Sequence, residues 1–202
     1  MSLWWRAIQS TVHVIVSILL QLRVYGRENI PAKGGFILAS NHQSYLDPVL
    51  LGVSMDRKIH FMARSSLFRI PLFGVLITSL NAFPIERNAA DMRGIREALK
   101  RLQDGEVIVM FPEGTRSKDG SIGNMKAGIA MIAGKAGVPI IPALIEGSYR
   151  VLPRGRIIPT ISKINVVFGK PKYLTMTDEH SSISASLYSA ISSLQGISKR
   201  KV

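Results

Sequence analysis

Past Gly26, short apolar runs alternate with stretches of helical periodicity. Phe36–Ala39, Ile59–Met62, Val107–Phe111, Ile140–Ile145 and Ile164–Phe168 are rich in β-branched and aromatic residues, which predicts strands. Asp47-Pro48 reads as an N-cap followed by proline at the first helical position, opening a helix through about Val53. Asn88-x-x-Asp91 opens a second, with Met92, Ile95, Leu99 and Leu102 inward and Arg93, Arg96, Lys100 and Arg101 outward. Ala127–Ala136 forms a third, closed by Gly137, and Ile183, Leu187, Ile191 and Leu194 mark a fourth that stops at Gly196. Strands alternating with helices predict an α/β fold, a mixed sheet core flanked by helices.

Residues 3–22 carry a different pattern. Leu3, Trp4, Ile8, Val12, Ile15, Leu19 and Leu22 recur at spacings of three and four, and Arg6, Gln9, Ser10, His13, Ser17 and Gln21 lie opposite. The densest apolar run, Val14 to Leu20, is broken by Ser17 and falls far short of the roughly 20 residues a spanning helix needs. No convincing small-residue cleavage site follows, as a signal peptide requires. Trp4 and Trp5 beside Arg6 suit headgroup level. The expectation is an N-terminal amphipathic membrane-anchoring helix over 1–22, inserted in one leaflet, and a single folded domain over 23–202. An ordinary helix packed on that domain is the rival reading.

Charge sharpens the picture. The 202 residues hold 26 Lys+Arg against 13 Asp+Glu, a net +13, on a chain that is 47% apolar and therefore not disordered. Six basic residues (Arg150, Arg154, Arg156, Lys163, Lys170, Lys172) lie between Glu146 and Asp178 with no acid among them. Lys199-Arg200-Lys201 near the C-terminus reads as a frayed basic tail. An excess of cations on a greasy protein points to an anionic partner: phospholipid, nucleic acid or an acidic carrier protein. The RNP aromatic pattern is absent, so nucleic acid is not expected. With no cysteine, disulfides, thiolate metal sites and Cys nucleophiles are excluded. The four histidines are far apart in sequence, so no metal site is expected. No phosphate-binding P-loop, dinucleotide fingerprint, nucleophile elbow or H-E-x-x-H motif occurs.

Two loops hold the candidate chemistry. Asn41-His42-Gln43-Ser44-Tyr45-Leu46-Asp47 follows a predicted strand, where α/β sheets collect their sites. Across a turn, Asp47 can meet one ring nitrogen of His42 and leave the other free to take a proton from a hydroxyl. Alone, the pair reads better as a surface loop in which Asp47 caps its own helix. Phe111-Pro112-Glu113-Gly114-Thr115-Arg116-Ser117 follows another predicted strand. Gly114 permits close backbone approach, and Thr115, Arg116 and Ser117 offer donors, Arg116 as a planar fork suited to phosphate. A base beside an anion clamp is harder to dismiss than either loop alone.

These residues resemble the glycerolipid acyltransferases, specifically the 1-acyl-glycerol-3-phosphate acyltransferases. Four ordered blocks carry the resemblance: N-H-Q-S-Y-L-D at 41–47, R-S-S-L-F-R-I-P-L-F-G at 64–74 continuing to F-P-I-E-R at 83–87, F-P-E-G-T-R-S at 111–117, and V-P-I-I-P-A at 138–143. The resemblance implies an enzyme that moves a fatty acyl group from acyl-CoA or acyl carrier protein to the sn-2 hydroxyl of lysophosphatidic acid, giving phosphatidic acid. No cofactor is implied. His42 would be the base and Asp47 its orienter. Glu113, Gly114, Thr115 and Arg116 would line the acceptor site, with Arg116 on the phosphate and Arg87 and Arg64 adding positive charge. Arg64 stands where lysine is more usual and Glu86 where aspartate is common, which bears on headgroup preference. The implied setting is a phospholipid surface on the cytoplasmic face of the membrane.

Other expectations attach to the same blocks. Backbone N–H groups around Gly123–Gly128 are candidate oxyanion donors. Ser44 is a second-choice acyl-enzyme nucleophile, only two residues from His42. Tyr45, Phe61, Phe68, Phe73 and the stretch 67–80 either line an acyl groove or form core. Rival functions are the same chemistry on another acceptor, such as glycerol 3-phosphate or a different lysophospholipid, and a non-catalytic basic lipid-binding protein.

Overall fold

In a computed structural model, residue 14 and residues 17–86, 92–173 and 180–197 are described. Among them lie β1 (Arg23–Tyr25), β2 (Phe36–Ser40), α1 (Asp47–Val53), β3 (Ile59–Arg64), α2 (Ser65–Phe68), α3 (Phe73–Ser79) and β4 (Ala82–Ile85). Next come α4 (Met92–Gln103), β5 (Val107–Met110), α5 (Gly128–Ala136), β6 (Ile140–Glu146), α6 (Ser148–Val151), β7 (Asn165–Phe168) and α7 (His180–Ser192). The strands form one mixed sheet in the order β1-β7-β6-β2-β5-β3-β4. β6, β2, β5, β3 and β4 run parallel; β7 is antiparallel to β6, with β1 parallel to β7.

The central strands are buried on both faces, which is why they read as continuous apolar runs without alternation. One face packs Ile37, Ala39 and Ile108 under α4, α5 and α7; the other packs Phe36, Leu38 and Val109 under α1 and Val151 of α6. The connection after β2 therefore leaves to one face, and the connection after β5 to the other. Because β2 and β5 are hydrogen-bonded neighbours, their carboxyl ends open side by side.

Two edge strands escaped the sequence pattern. β4 contains Pro84, which argues against a strand, yet at the sheet edge its missing N–H leaves no ladder bond unmade. β1 is three residues long. Several expectations need correction. Asp47 does not cap its helix: the residue before α1 is Leu46, and no side chain caps that end. Met92 is 49% exposed, not inward, since Gly94, Ala98 and Leu102 form the buried stripe of α4. Arg101 is not a solvated outward residue but half-buried among partners. β5 ends at Met110, which releases Phe111 into the loop, and β7 begins at Asn165.

The expected 1–22 anchor lies mostly outside the described residues. Residues 17–20 are helical, Leu20 and Leu22 pack against the core, and the Leu20 carbonyl accepts the Ile164 N–H at 3.0 Å. Among the described residues no helix is long and apolar enough to cross a membrane. The Asn88–Asp91 helix start and Lys199-Arg200-Lys201 also lie outside them.

Candidate active site

The loop after β2 is fixed before it reaches His42. Buried Asn41 exchanges two hydrogen bonds with Ile145 of β6: its Nδ2 donates to the carbonyl at 2.9 Å and its Oδ1 accepts the N–H at 2.8 Å. His42 then presents its ring at the sheet's edge. Its Nδ1 lies 2.9 Å from Asp47 Oδ2, and the same oxygen accepts the N–H groups of Gln43 at 2.6 Å and Ser44 at 2.7 Å. Asp47 is fully buried, so three donors converge on one oxygen in a low-dielectric setting. A carboxylate can only accept, so Nδ1 carries a proton toward Asp47, and in the neutral ring Nε2 is the acceptor. His42 is one-fifth exposed, its ring stacked on Phe111 with centroids 3.9 Å apart.

The loop after β5 is stitched to the first. The His42 N–H donates to Glu113 Oε1 at 3.0 Å, and the Ser117 N–H donates to the His42 carbonyl at 2.7 Å. Glu113 is buried, and desolvation pushes its carboxyl above the ordinary range, opposed by the N–H groups of His42 and Gly123. Gly114 turns the chain in the left-handed region at φ 70°, leaving its backbone exposed, and the Lys126 side chain lies across it. Gly114 and Thr115 are exposed; Arg116 is half-buried. The Arg116 guanidinium sits 3.4 Å from the centre of the Tyr45 ring, and its buried Nη1 has no hydrogen-bond partner among the described residues. A guanidinium nitrogen left without a partner has donor capacity to spare.

Of the remaining expected residues, Arg64 ends β3, two strands from β2 on the same carboxyl edge, and is exposed. Arg87 lies outside the described residues. Ser44 is fully buried, and its hydroxyl donates to the Leu152 carbonyl at 2.8 Å while accepting the Leu46 N–H. It staples two loops together and is not presented for attack. A cleft of about 760 Å³ opens next to the site, lined by Gln43, Gly120, Arg23, Arg150 and Lys163 but by neither His42 nor Glu113. Sequence reasoning did not single out Phe111, Lys126 or Tyr45 as parts of one arrangement. Phe111 meets the His42 ring across 69 residues, Lys126 reaches Gly114 only in space, and Tyr45 meets Arg116 across 71 residues.

A family model described as acyltransferase matches residues 21–146, which span both loops. The chain belongs to the acyltransferase family. Among curated acyltransferases it is 31% identical over 163 residues to the 1-acyl-sn-glycerol-3-phosphate acyltransferase of Bacillus subtilis, covering 80% of this chain and 79% of that one. It is 32% identical over 180 residues to a chloroplastic enzyme of that name, BAT2 of Brassica napus, of which the match covers 52% and 82% of this chain. The crystal structure of the 1-acyl-sn-glycerophosphate acyltransferase PlsC of Thermotoga maritima superposes with a TM-score of 0.78 at 29% identity, covering 95% of this chain and 79% of that one. The likeness to that acyltransferase extends to the whole sheet, not only to the loops.

Proposed function

We propose that this chain acylates the sn-2 hydroxyl of 1-acyl-glycerol 3-phosphate to give phosphatidic acid, taking the acyl group from acyl-CoA or acyl carrier protein. The observation that carries the reading is the His42–Asp47 pair on a loop tied, by the Ser117 N–H on the His42 carbonyl, to the loop that carries the unsatisfied Arg116 guanidinium. The names of the acyltransferases it resembles agree with it. His42 Nε2 takes the proton of the acceptor hydroxyl as its oxygen attacks the thioester carbonyl. The C–S bond breaks as the tetrahedral oxyanion collapses, and the proton passes from His42 to the departing sulfur. Asp47 stabilises the transient imidazolium and keeps the ring in its productive tautomer. Arg116 takes the acceptor phosphate, with Arg64, Arg87 and Lys126 adding field, and Glu113, Gly114 and Thr115 shape the site. No cofactor enters this chemistry, which needs a base, positioning and oxyanion donors.

In this reading residues 1–22 anchor the protein in one leaflet at the cytoplasmic face of the membrane, and residues 23–202 carry the reaction. Anionic lipid attracts nearby Lys and Arg by ~1 kcal/mol each, so vesicle binding should weaken with salt. Salt-insensitive binding lost on deleting residues 1–22 would leave hydrophobic anchoring alone.

The test is to incubate the protein with lysophosphatidic acid and acyl-CoA or acyl carrier protein, and to follow phosphatidic acid by mass spectrometry. Product from wild type but not from His42→Ala supports both reaction and base. Equal product from the two sinks the base assignment. No product from either, with every donor, moves the acceptor to another lysolipid or to glycerol 3-phosphate.

A further inference from the structure

The stretch 67–80, expected as groove or core, supplies neither at its tip. From the α2–α3 turn into the first turn of α3 the chain presents Ile70, Leu72 and Val75 at 48, 85 and 73% exposure. Leu72 adopts φ 63°, a left-handed conformation that costs a β- or γ-branched residue energy and that Asn or Gly adopts freely. A strained leucine held almost wholly in water does nothing for the fold. The tip is nonetheless tied to its neighbours. The Gly74 N–H donates to the Ile70 carbonyl at 2.8 Å, and a Cβ at Gly74 would collide with the Phe68 carbonyl, so α2 and α3 are closely packed.

Charge says what this tip faces. From Lys58 to Ile85 there is no acid, and Arg64 and Arg69 on either side of α2 are exposed beside the tip. Exposed apolar side chains flanked by two exposed arginines are the composition of an interfacial element, not of a protein–protein core. The tip also connects to the site. Phe73, next to Leu72, meets the Tyr45 ring edge-on with centroids 6.3 Å apart, and the same Tyr45 carries the Arg116 guanidinium.

We propose that Ile70, Leu72 and Val75 form a knob that docks into an anionic phospholipid leaflet beside the mouth of the active site. The docked knob brings Tyr45 and Arg116 to headgroup depth, so a lysolipid reaches the guanidinium along the leaflet surface. The purpose of the knob rests on the reading of a lipid acceptor; its docking does not.

The experiment uses the full chain, with Leu72→Asn combined with Val75→Asn. Asparagine tolerates the left-handed region, so the variant removes apolar surface without adding strain. Partitioning onto phosphatidylcholine–phosphatidylglycerol vesicles, read by co-sedimentation, should fall by about tenfold per side chain removed. Melting temperature and oligomeric state without lipid should be unchanged. Acyl transfer to a monodisperse short-chain lysophosphatidate should persist, while transfer to vesicle-embedded acceptor falls with binding. Unchanged partitioning overturns the proposal, as does dissociation of an oligomer in the variant, which would assign the tip to a second copy. If wild type makes no product with either acceptor, the functional reading fails, and partitioning still decides the docking.

Discussion

At the carboxyl edge of the sheet His42 meets Asp47; at the amino edge His60, near the start of β3, meets Arg101 and Glu106. Both are histidines beside a carboxylate, and both lie near an arginine that stacks on an aromatic ring. His60 is 3% exposed, with Nδ1 2.7 Å from Arg101 Nη1 and Nε2 3.1 Å from Glu106 Oε2. Arg101 also holds Glu97 and Glu106 and lies over Phe83. There Arg101 is spent on Glu97 and Glu106, and the buried Nε2 of His60 faces Glu106 without forming a hydrogen bond. At the other edge the His42 ring is one-fifth exposed, against 3% for His60, and among the described residues Nη1 of Arg116 has no hydrogen-bond partner. The difference teaches that address decides chemistry: strand starts enter the core closed, whereas strand ends open into loops that leave for opposite faces.

The comparison breaks most sharply on turnover. His42→Ala should lower kcat by about 10³-fold, within the span of general base contributions, whereas His60→Leu should leave kcat within about twofold. Phosphatidic acid formation checks both, and comparable losses would erase the distinction between the edges. Asp47→Asn comes next, with a loss of about 10²-fold in kcat at little change in KM, because an amide no longer enforces the Nδ1–H tautomer. Arg116→Lys should raise KM for lysophosphatidic acid about tenfold with kcat nearly kept, since lysine lacks the planar fork and the stacked face.

Stability should show the reverse ranking. His60→Leu removes an acceptor from Arg101 and should lower unfolding free energy by about 1–3 kcal/mol at neutral pH, measured by urea denaturation. The smallest effect is in pH. Burial pushes the His60 imidazole below its ordinary 6.5; Glu106 opposes this, while Arg101 and Lys58 favour it. A lowered folded pKa means that the unfolded chain binds the proton more readily. The stability His60 contributes is therefore complete above about pH 6.5 and is lost as pH falls toward the folded value. That slope should vanish in His60→Leu.

Much of the fold was legible because central strands buried on both faces announce themselves as apolar runs. What escaped were edges and exceptions: β4 hides behind Pro84, and β1 is too short to show a period. Within the site, the residue types of both loops were readable, but Asp47 looked like a helix cap. Its carboxylate turns backward because the Gln43 and Ser44 N–H groups offer two further donors in a buried turn. Ser44 looked like a spare nucleophile until its bond to Leu152, 108 residues away, placed it inside the wall.

Sequence alone determined the residue types at the two strand-end loops, the strand-and-helix alternation and the excess of cations. Those properties are local or additive, and the chain carries them before it folds. Only the tertiary structure decided that β2 and β5 are neighbours, and hence that Glu113 accepts the N–H of His42 across 71 residues. It also decided that His60 is closed, that Arg116 rests on Tyr45 with one nitrogen unspent, and that Leu72 faces solvent. Adjacency between distant segments follows from which strand pairs with which, and no periodicity along the chain encodes that choice.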